Sequence, residues 1–387
     1  MKRQIILTLP LLFGIANLWA QLPYSETEIF TTNLPKASLK EDPLPNSSFL
    51  VAGYYTLELE AENGEANFSE TKFNPIFLWQ KGQKIFFQSE VEFELRGSEN
   101  GIEQEINLEY AVMNLLLGNN AVLYSGKFIA PIGTFTERYH PDWINRAATK
   151  PIGLGKPVNG LKLLQPGGEI GIGIKGAVFV GNGKVNYNMF ISNGAVLDSL
   201  NGMLRYDNLL DNNTNKAIGG RIGLMPIPGS TLELGLSGYT AKVGSEKGNY
   251  EDATVRLLAL DINYVKAISG FGKIDIKGQY QTLGVNTTNY ENNLVIDNSS
   301  KVWYAQCAYQ LPSISDKVRW LSNIEVVSRY TQLDVPASAP WGEDLSQLTL
   351  GINYWIRWNA AFKVAIDFFK SDADAETGAT GVFTMGF

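Results

Sequence analysis

Metal and disulfide chemistry are all but missing from this sequence. Its 387 residues include one cysteine and one histidine. A disulfide needs two cysteines and a structural zinc site needs several Cys or His ligands, so neither is expected, and no cofactor is implied. Charge is scarce too. Only 18% of residues are Asp, Glu, Lys or Arg, whereas soluble proteins carry about a quarter. The 39 acidic residues outnumber 32 basic ones, which is not the basic footprint of a nucleic-acid partner. Past residue 20 there is no apolar run of the length a transmembrane helix requires, about 18 residues. The mean hydropathy of −0.08 excludes a polytopic helical membrane protein. What remains plentiful is aromatic residues, at 11%, and glycine, at 38 residues.

The first twenty residues read as a signal peptide. Lys2 and Arg3 supply the positive end, Ile5 to Ile15 the apolar stretch, and Ala20 the small residue at the cut, with Gln21 the first mature residue. No cysteine follows the cut, so this is not a lipoprotein signal. Removing Lys2 and Arg3 leaves 30 basic residues against 39 acidic, a mature charge of −9. Residues 21–47 carry Pro23, Pro35, Pro43 and Pro45 and read as an extended arm. Residues 48–387 form the remaining domain.

That domain alternates. In Lys84 to Arg96 one face holds Ile85, Phe87, Ser89, Val91, Phe93 and Leu95, and the other Lys84, Phe86, Gln88, Glu90, Glu92, Glu94 and Arg96. Side chains of a strand point to opposite sides in turn, so the segment has one greasy and one charged face. Ile106, Leu108, Tyr110 and Val112 stand likewise against Glu105, Asn107, Glu109 and Ala111. The pattern recurs in Val185 to Ser192, Ile274 to Gln281 and Gln347 to Tyr354.

Alternation also suits a soluble sandwich. Three features favour a transmembrane antiparallel barrel. The segments are long enough to cross a bilayer when tilted, about 9–14 residues. Aromatics such as Trp79, Tyr264, Trp303 and Trp355 sit near their ends. Connections alternate in length, as short periplasmic turns and longer outer loops require. The pattern predicts an all-β barrel of about sixteen strands: 48–62, 68–80, 83–96, 103–114, 120–130, 168–180, 184–193, 216–226, 230–242, 252–266, 271–283, 300–312, 319–334, 344–357, 361–371 and 380–387. Such a barrel encloses an aqueous channel. Its expected lining is Glu90, Glu92, Glu94, Glu105 and Glu109 as an acidic sector, with Lys127, Lys175, Arg221, Lys277 and Arg329 as scattered positive charge.

The longest connection, 131–167, holds Phe135, Tyr139, Trp143 and Ile144, too aromatic for a disordered tail. It is expected to fold inward and narrow the pore, with Lys127, Arg138, His140, Asp142, Arg146 and Lys150 at the constriction. Lys156 and Lys162 continue its basic run, and the basic residues predict an anion-attracting eyelet.

Gly126-Lys127-Phe128-Ile129-Ala130-Pro131-Ile132-Gly133, then Glu137-Arg138, His140-Pro141 and Trp143-Ile144-Asn145, resembles the outer-membrane porins related to the phosphate-selective porin O and P family, particularly Bacteroidota forms. Ser192-Asn193-Gly194 and Tyr304-Ala305-Gln306 are similar too. The resemblance implies a bacterial outer-membrane location, a homotrimer, and a third outer loop folded into the lumen. It also implies ion transport with a place for Lys127, Arg138 and Arg146 in anion selection, although the Glu90–Glu94 sector departs from the family's basic lining. The terminal strand, with Gly381, Phe383, Met385 and Phe387 alternating, resembles the signal that barrels present to their assembly machinery.

Enzyme chemistry finds little purchase. Gly171-Ile172-Gly173-Ile174-Lys175-Gly176 matches a dinucleotide fingerprint by letters but continues as strand, not helix. His140 has no visible partner constellation. The reading is a non-enzymatic porin in outer-membrane lipid that passes small hydrophilic solutes or ions, possible anions such as phosphate among them. The alternative is a non-conducting structural or adhesive barrel.

Overall fold

The computed structural model describes residues 47–62, 65–98, 101–157, 163–227, 231–312, 316–371 and 374–387. The expected signal peptide, the arm up to residue 46, and Lys162 lie outside these residues.

Sixteen antiparallel strands close into one barrel. They are β1 (Ser47–Glu62), β2 (Glu65–Lys81), β3 (Ile85–Ser98), β4 (Gly101–Leu116), β5 (Ala121–Ile129), β6 (Gly168–Val180), β7 (Gly183–Ser192), β10 (Ala217–Met225), β11 (Glu233–Lys242), β12 (Thr254–Ile268), β13 (Gly272–Val285), β14 (Ser299–Gln310), β15 (Ile324–Asp334), β16 (Leu345–Arg357), β17 (Ala360–Ser371) and β18 (Ala375–Gly386). Two short strands, β8 (Val196–Leu197) and β9 (Leu204–Arg205), pair within the connection between β7 and β10. Each barrel strand pairs with its chain neighbours, and β1 closes on β18. A closed sheet leaves no edge, so every wall amide can find a partner without water, which hydrocarbon demands. No described helix is long and apolar enough to cross a membrane.

The alternation sorts as its period requires. On β12, Leu258, Leu260 and Ile262 face outward, while Ala259, Asp261 and Asn263 are buried toward the interior. On β16, Leu350, Ile352 and Tyr354 face out and Gln347, Thr349 and Asn353 are buried. On β18, Met385 is exposed and Thr380, Val382 and Thr384 are buried. A continuous apolar exterior over a polar interior inverts a soluble protein, and lipid outside with water within explains it.

Three details differ from the sequence reading. A register shift between Glu90 and Val91 places both Glu109 and Tyr110 near Glu90. Beyond this β-bulge the parity of β4 reverses, and Val112, 3% exposed, turns into the interior. Residues 319–323 are not strand: Asp316–Asn323 is a 3-10 helix and β15 starts at Ile324. The last strand starts earlier than 380, at Ala375.

Loop parity holds for five of the eight connections at one end. Those after β5, β7, β11, β13 and β15 are long, but β1 to β2, β3 to β4 and β17 to β18 span only 63–64, 99–100 and 372–374. The three short ones cluster around the β1–β18 closure. That rim is built from β1–β4, themselves 16, 17, 14 and 16 residues long.

Candidate functional site

The described part of the third long-end loop, residues 130–157 and 163–167, lies inside the barrel. It leaves β5 through Pro131-Ile132-Gly133. Gly133 takes a left-handed φ of 62°, and a Cβ there would come within 2.2 Å of the Gln279 side chain. Glycine therefore allows the close approach that turns the chain inward. Gln279 Oε1 accepts from the amides of Thr134 (3.0 Å) and Phe135 (3.2 Å), and Ser237 Oγ accepts from the Gly133 amide at 3.0 Å. A single π-type turn, Phe135–Tyr139, follows. Phe135, 1% exposed, meets Tyr304 of β14 edge-on at 5.8 Å.

Further along, charged wall residues hold the loop backbone. Lys363 of β17 donates to the carbonyls of Asp142 (2.6 Å) and Asn145. Asn353 donates to the Arg146 carbonyl at 2.7 Å. Thr149 donates to Asp367 at 3.1 Å. On the return, Gln281 Nε2 donates to the Leu164 carbonyl at 2.9 Å. Ile132, Ile152, Leu154 and Leu164 are buried in the same cluster as Val302, Leu333 and Val255 of the wall. Asn263 of β12 donates to the Thr134 hydroxyl at 3.4 Å, and Arg329 of β15 donates to Thr149, so the bonds run to every strand from β11 to β17 except β14, which Phe135 meets through Tyr304. The loop lines one half of the lumen and touches β1 where Thr56 faces Asp142; the wall left open is that of β2–β7.

The residues singled out from the sequence fall into two groups. In the first, charge is met by an opposite charge or by a loop carbonyl. Arg138 pairs with Glu137 (3.3 Å) and Glu233 (2.9 Å). Arg146 pairs with Asp275 (3.2 Å) and Glu325 (3.5 Å), and stacks 4.9 Å from the Trp355 ring. Arg221 is bidentate to Asp261 at 2.9 and 2.7 Å and reaches Glu233 at 2.8 Å. Lys277 pairs with Asp275. Arg329 donates to Thr149. Buried charges need such partners to be tolerated.

The second group stands between the loop and the free wall. Lys127 reaches Asp207 of the β7–β10 loop at 2.6 Å. Lys150 lies 3.6 Å from Asp142. Burial pushes the Asp142 carboxyl up, but Lys150, Lys72 and Lys363 outweigh it and hold it below its ordinary range. Opposite, Glu90 accepts from Tyr54 (3.0 Å) and Asn74 (3.1 Å), and Glu92 accepts from Asn74 at 3.2 Å. Glu94 pairs with Lys72 at 3.6 Å and with Arg96. Glu109, half-buried on the bulge, has no ion pair or hydrogen bond among the described residues, nor has Glu58 of β1. Lys156 is exposed, its ammonium 5.9 Å from the Phe369 ring.

His140 Nδ1 donates to the Thr136 carbonyl at 2.6 Å, and its Nε2 is buried with no hydrogen-bond partner among the described residues. Burial, with Lys150 adding to it, pushes its pKa down to about 4. It is therefore a neutral imidazole at pH 7. No group of three or more His, Cys, Asp or Glu is arranged to hold a metal among the described residues.

Several wall residues that hold the loop escaped the sequence reading, notably Lys363, Gln279 and Asp367. Alternation in Ile274 to Gln281 gave Gln279 an inward face, but nothing local distinguished a loop anchor from any other polar lumen residue.

No protein-family model matches the sequence, and comparison with curated proteins returned no match. Solved structures do match in shape. OmpF of Salmonella typhi, solved with daunomycin, aligns with a TM-score of 0.58 at 11% identity, covering 88% of this chain and 98% of that one. The anion-selective porin of Comamonas acidovorans gives 0.54 at 13% identity, covering 88% and 100%. The trimer form of OmpT, an outer membrane protein of Vibrio cholerae, gives 0.51 at 13% identity, covering 89% and 100%. The fold of this chain is that of the outer-membrane porin barrels.

Proposed function

We propose that the protein is a passive pore of the bacterial outer membrane for small hydrophilic solutes and ions. The observation that carries this reading is the one-sided seat of the third loop. Anchored to the wall from β11 to β17, it narrows the lumen and leaves a polar, charged face on β2–β5 free. A protein whose interior was only structural has no need of a carboxylate such as Glu109, which has neither an ion pair nor a hydrogen bond among the described residues.

The same seat bears on selectivity. Arg138 and Arg146 act as loop anchors in this reading, because each is met by two carboxylates. The constriction lies between Lys127, His140, Asp142 and Lys150 on one side and Glu90, Glu92, Glu94 and Glu109 on the other. Lys127 and Lys150 each have an acidic partner, whereas Glu109 has none among the described residues. Across the constriction five carboxylates, Asp142, Glu90, Glu92, Glu94 and Glu109, stand against two lysines, Lys127 and Lys150, so the pore favours cations over the anions, phosphate included, that the family resemblance implies. Charge rings of this kind bias permeation without a binding motif.

We further propose that the chain is exported by residues 1–20, is assembled through the C-terminal Phe387, carries no enzymatic activity and forms a homotrimer, as the Vibrio cholerae protein does. Single-channel current in a planar bilayer under a KCl gradient tests the central reading. Steady conductance with a cation-directed reversal potential is expected. An anion-directed potential would return control to the loop's basic residues. No current from verified folded barrel would overturn the pore and leave a structural or adhesive barrel.

A further inference from the structure

Between the third loop and the β1–β7 wall lies a cavity of about 360 Å³. That is within the range of small-molecule pockets, about 300–1,000 Å³. Tyr110, Val112, Tyr124, Phe128 and Ile144 supply its apolar faces, and Trp358 and Asn359 of the β16–β17 turn mark its turn end. The acidic stretch of the constriction meets it at Glu90. A lumen that only passes hydrated ions has no use for so much aromatic surface in its wall.

The charges around this cavity are satisfied, with one exception. Glu90 accepts from Tyr54 and Asn74. Glu137 and Arg138 pair with each other, and Arg138 also with Glu233. Lys175 of β6 has no ion pair or hydrogen bond among the described residues, and the Glu137 carboxylate across the cavity acts on it only at longer range; its Nζ sits 5.3 Å from the centre of the Tyr124 ring. Directly across the ladder from Lys175 is Asn188 of β7, so their side chains leave the wall about 5 Å apart. The Tyr124 hydroxyl donates to Asn188 Oδ1 at 2.7 Å. That bond fixes the amide so that its Nδ2 hydrogens, not its oxygen, are left to offer. An ammonium and an amide donor therefore stand side by side on the lumen wall, beside the Tyr124 ring and its edge-on neighbour Phe128 at 5.0 Å.

We propose that Lys175 and Asn188 form a carboxylate clamp, and that the cavity holds small monocarboxylates with a flat apolar body, loaded from the turn end. The carboxylate takes one charge-assisted bond from Lys175 Nζ and one from Asn188 Nδ2. The apolar body lies on Tyr124 and Phe128. The acidic sector beyond repels the same anion, so an occupied clamp obstructs the pore instead of feeding it. This inference rests on the open-pore reading only for that last effect; binding itself does not require conduction.

The test is a titration of the folded protein in detergent micelles with 4-fluorophenylacetate, read by fluorine NMR. Its neutral amide and empty micelles measure partition into detergent. Saturable binding is expected, weakened tenfold or more in Lys175→Met and for the amide, and retained in Lys175→Arg. Asn188→Asp sets a carboxylate opposite Lys175 and is expected to abolish binding. Heat-modifiable electrophoretic mobility checks that each variant is a folded barrel. Equal uptake by wild type and Lys175→Met, or of acid and amide, overturns the clamp. KCl current from the same preparation separates the two readings. Current without saturable binding removes the clamp and leaves the pore. Saturable, Lys175-dependent binding without current supports the clamp and removes the pore.

Discussion

Arg329 of β15 holds Thr149 of the third loop twice, donating from Nη1 to its carbonyl at 2.6 Å and from Nη2 to its hydroxyl at 2.9 Å. The guanidinium is buried, at 1% exposure, and meets the loop at the far side of the lumen from the acidic wall. Hydrogen bonds to a charged group contribute about 1.5–3 kcal/mol each. Arg329→Met is therefore expected to loosen the loop while leaving the barrel closed. Single-channel traces should show larger, noisier conductance than wild type. Unchanged conductance would mean that the remaining anchors suffice without Arg329.

Charge on the free wall is expected to set ion preference. A unit charge about 8 Å from a permeant ion in water-like dielectric is worth about 0.5 kcal/mol, roughly a twofold bias. Each charge attracts K⁺ and repels Cl⁻ by that amount, so replacing both Glu92 and Glu109 by Gln should lower the K⁺/Cl⁻ permeability ratio by about 2 kcal/mol in all, roughly thirtyfold at low salt. The difference should shrink at about 1 M salt, where the screening length falls to about 3 Å. A reversal potential indifferent to the double substitution would place selectivity elsewhere.

His140 gives the loop a pH dependence with a definite sign. In the folded loop its pKa is near 4, while an unconstrained imidazole titrates near 6.5. Between those values the released loop binds a proton that the seated loop excludes, so seating weakens as pH falls. The contribution is whole above about pH 6.5 and declines toward pH 4. Channel noise should rise between pH 7 and pH 4.5 in wild type and stay flatter in His140→Phe. Equal acid sensitivity in both would assign the effect to another group.

The barrel closure turns on Gly53 and Phe387. Each donates its amide to the other's carbonyl, at 3.0 and 2.8 Å, and the Phe387 ring stacks 5.9 Å from Phe73. A Cβ on Gly53 would stand 2.4 Å from the Asn74 carbonyl oxygen and 2.8 Å from Phe387 Cζ. Gly53→Val should displace the terminal ring and reduce the folded, heat-modifiable fraction after refolding. Phe387→Ala keeps the backbone bonds and should refold better than Gly53→Val. The reverse order would give the ring, not the backbone bonds, the larger share.

Most of the wall was legible along the chain. All sixteen strands fall where alternation predicts them, with edges moved by a few residues except at β15 and β18. The reason is local: each strand separates lipid from water, so every second residue answers to a different solvent. The reading failed where one residue breaks the period. Nothing in Glu109-Tyr110 announces a bulge, and its single extra residue sends Val112 inward. The short connections after β1, β3 and β17 also departed from parity, because length there follows the rim's height and not the strand count.

The sequence by itself determined a closed, water-lined barrel, since period-two alternation with a greasy outer face has few other uses in a chain with so little charge. It also marked residues 131–167 as the segment to watch. Only the tertiary structure decided which side of the lumen that loop takes, and so which charges are cancelled. Lys363 and Asp142 are 221 positions apart, and Arg146 and Asp275 are 129 apart. No local pattern encodes such pairings. Arg138 and Arg146, which read as free positive charge in sequence, are met by carboxylates of β11, β13 and β15, the wall on which the loop is seated.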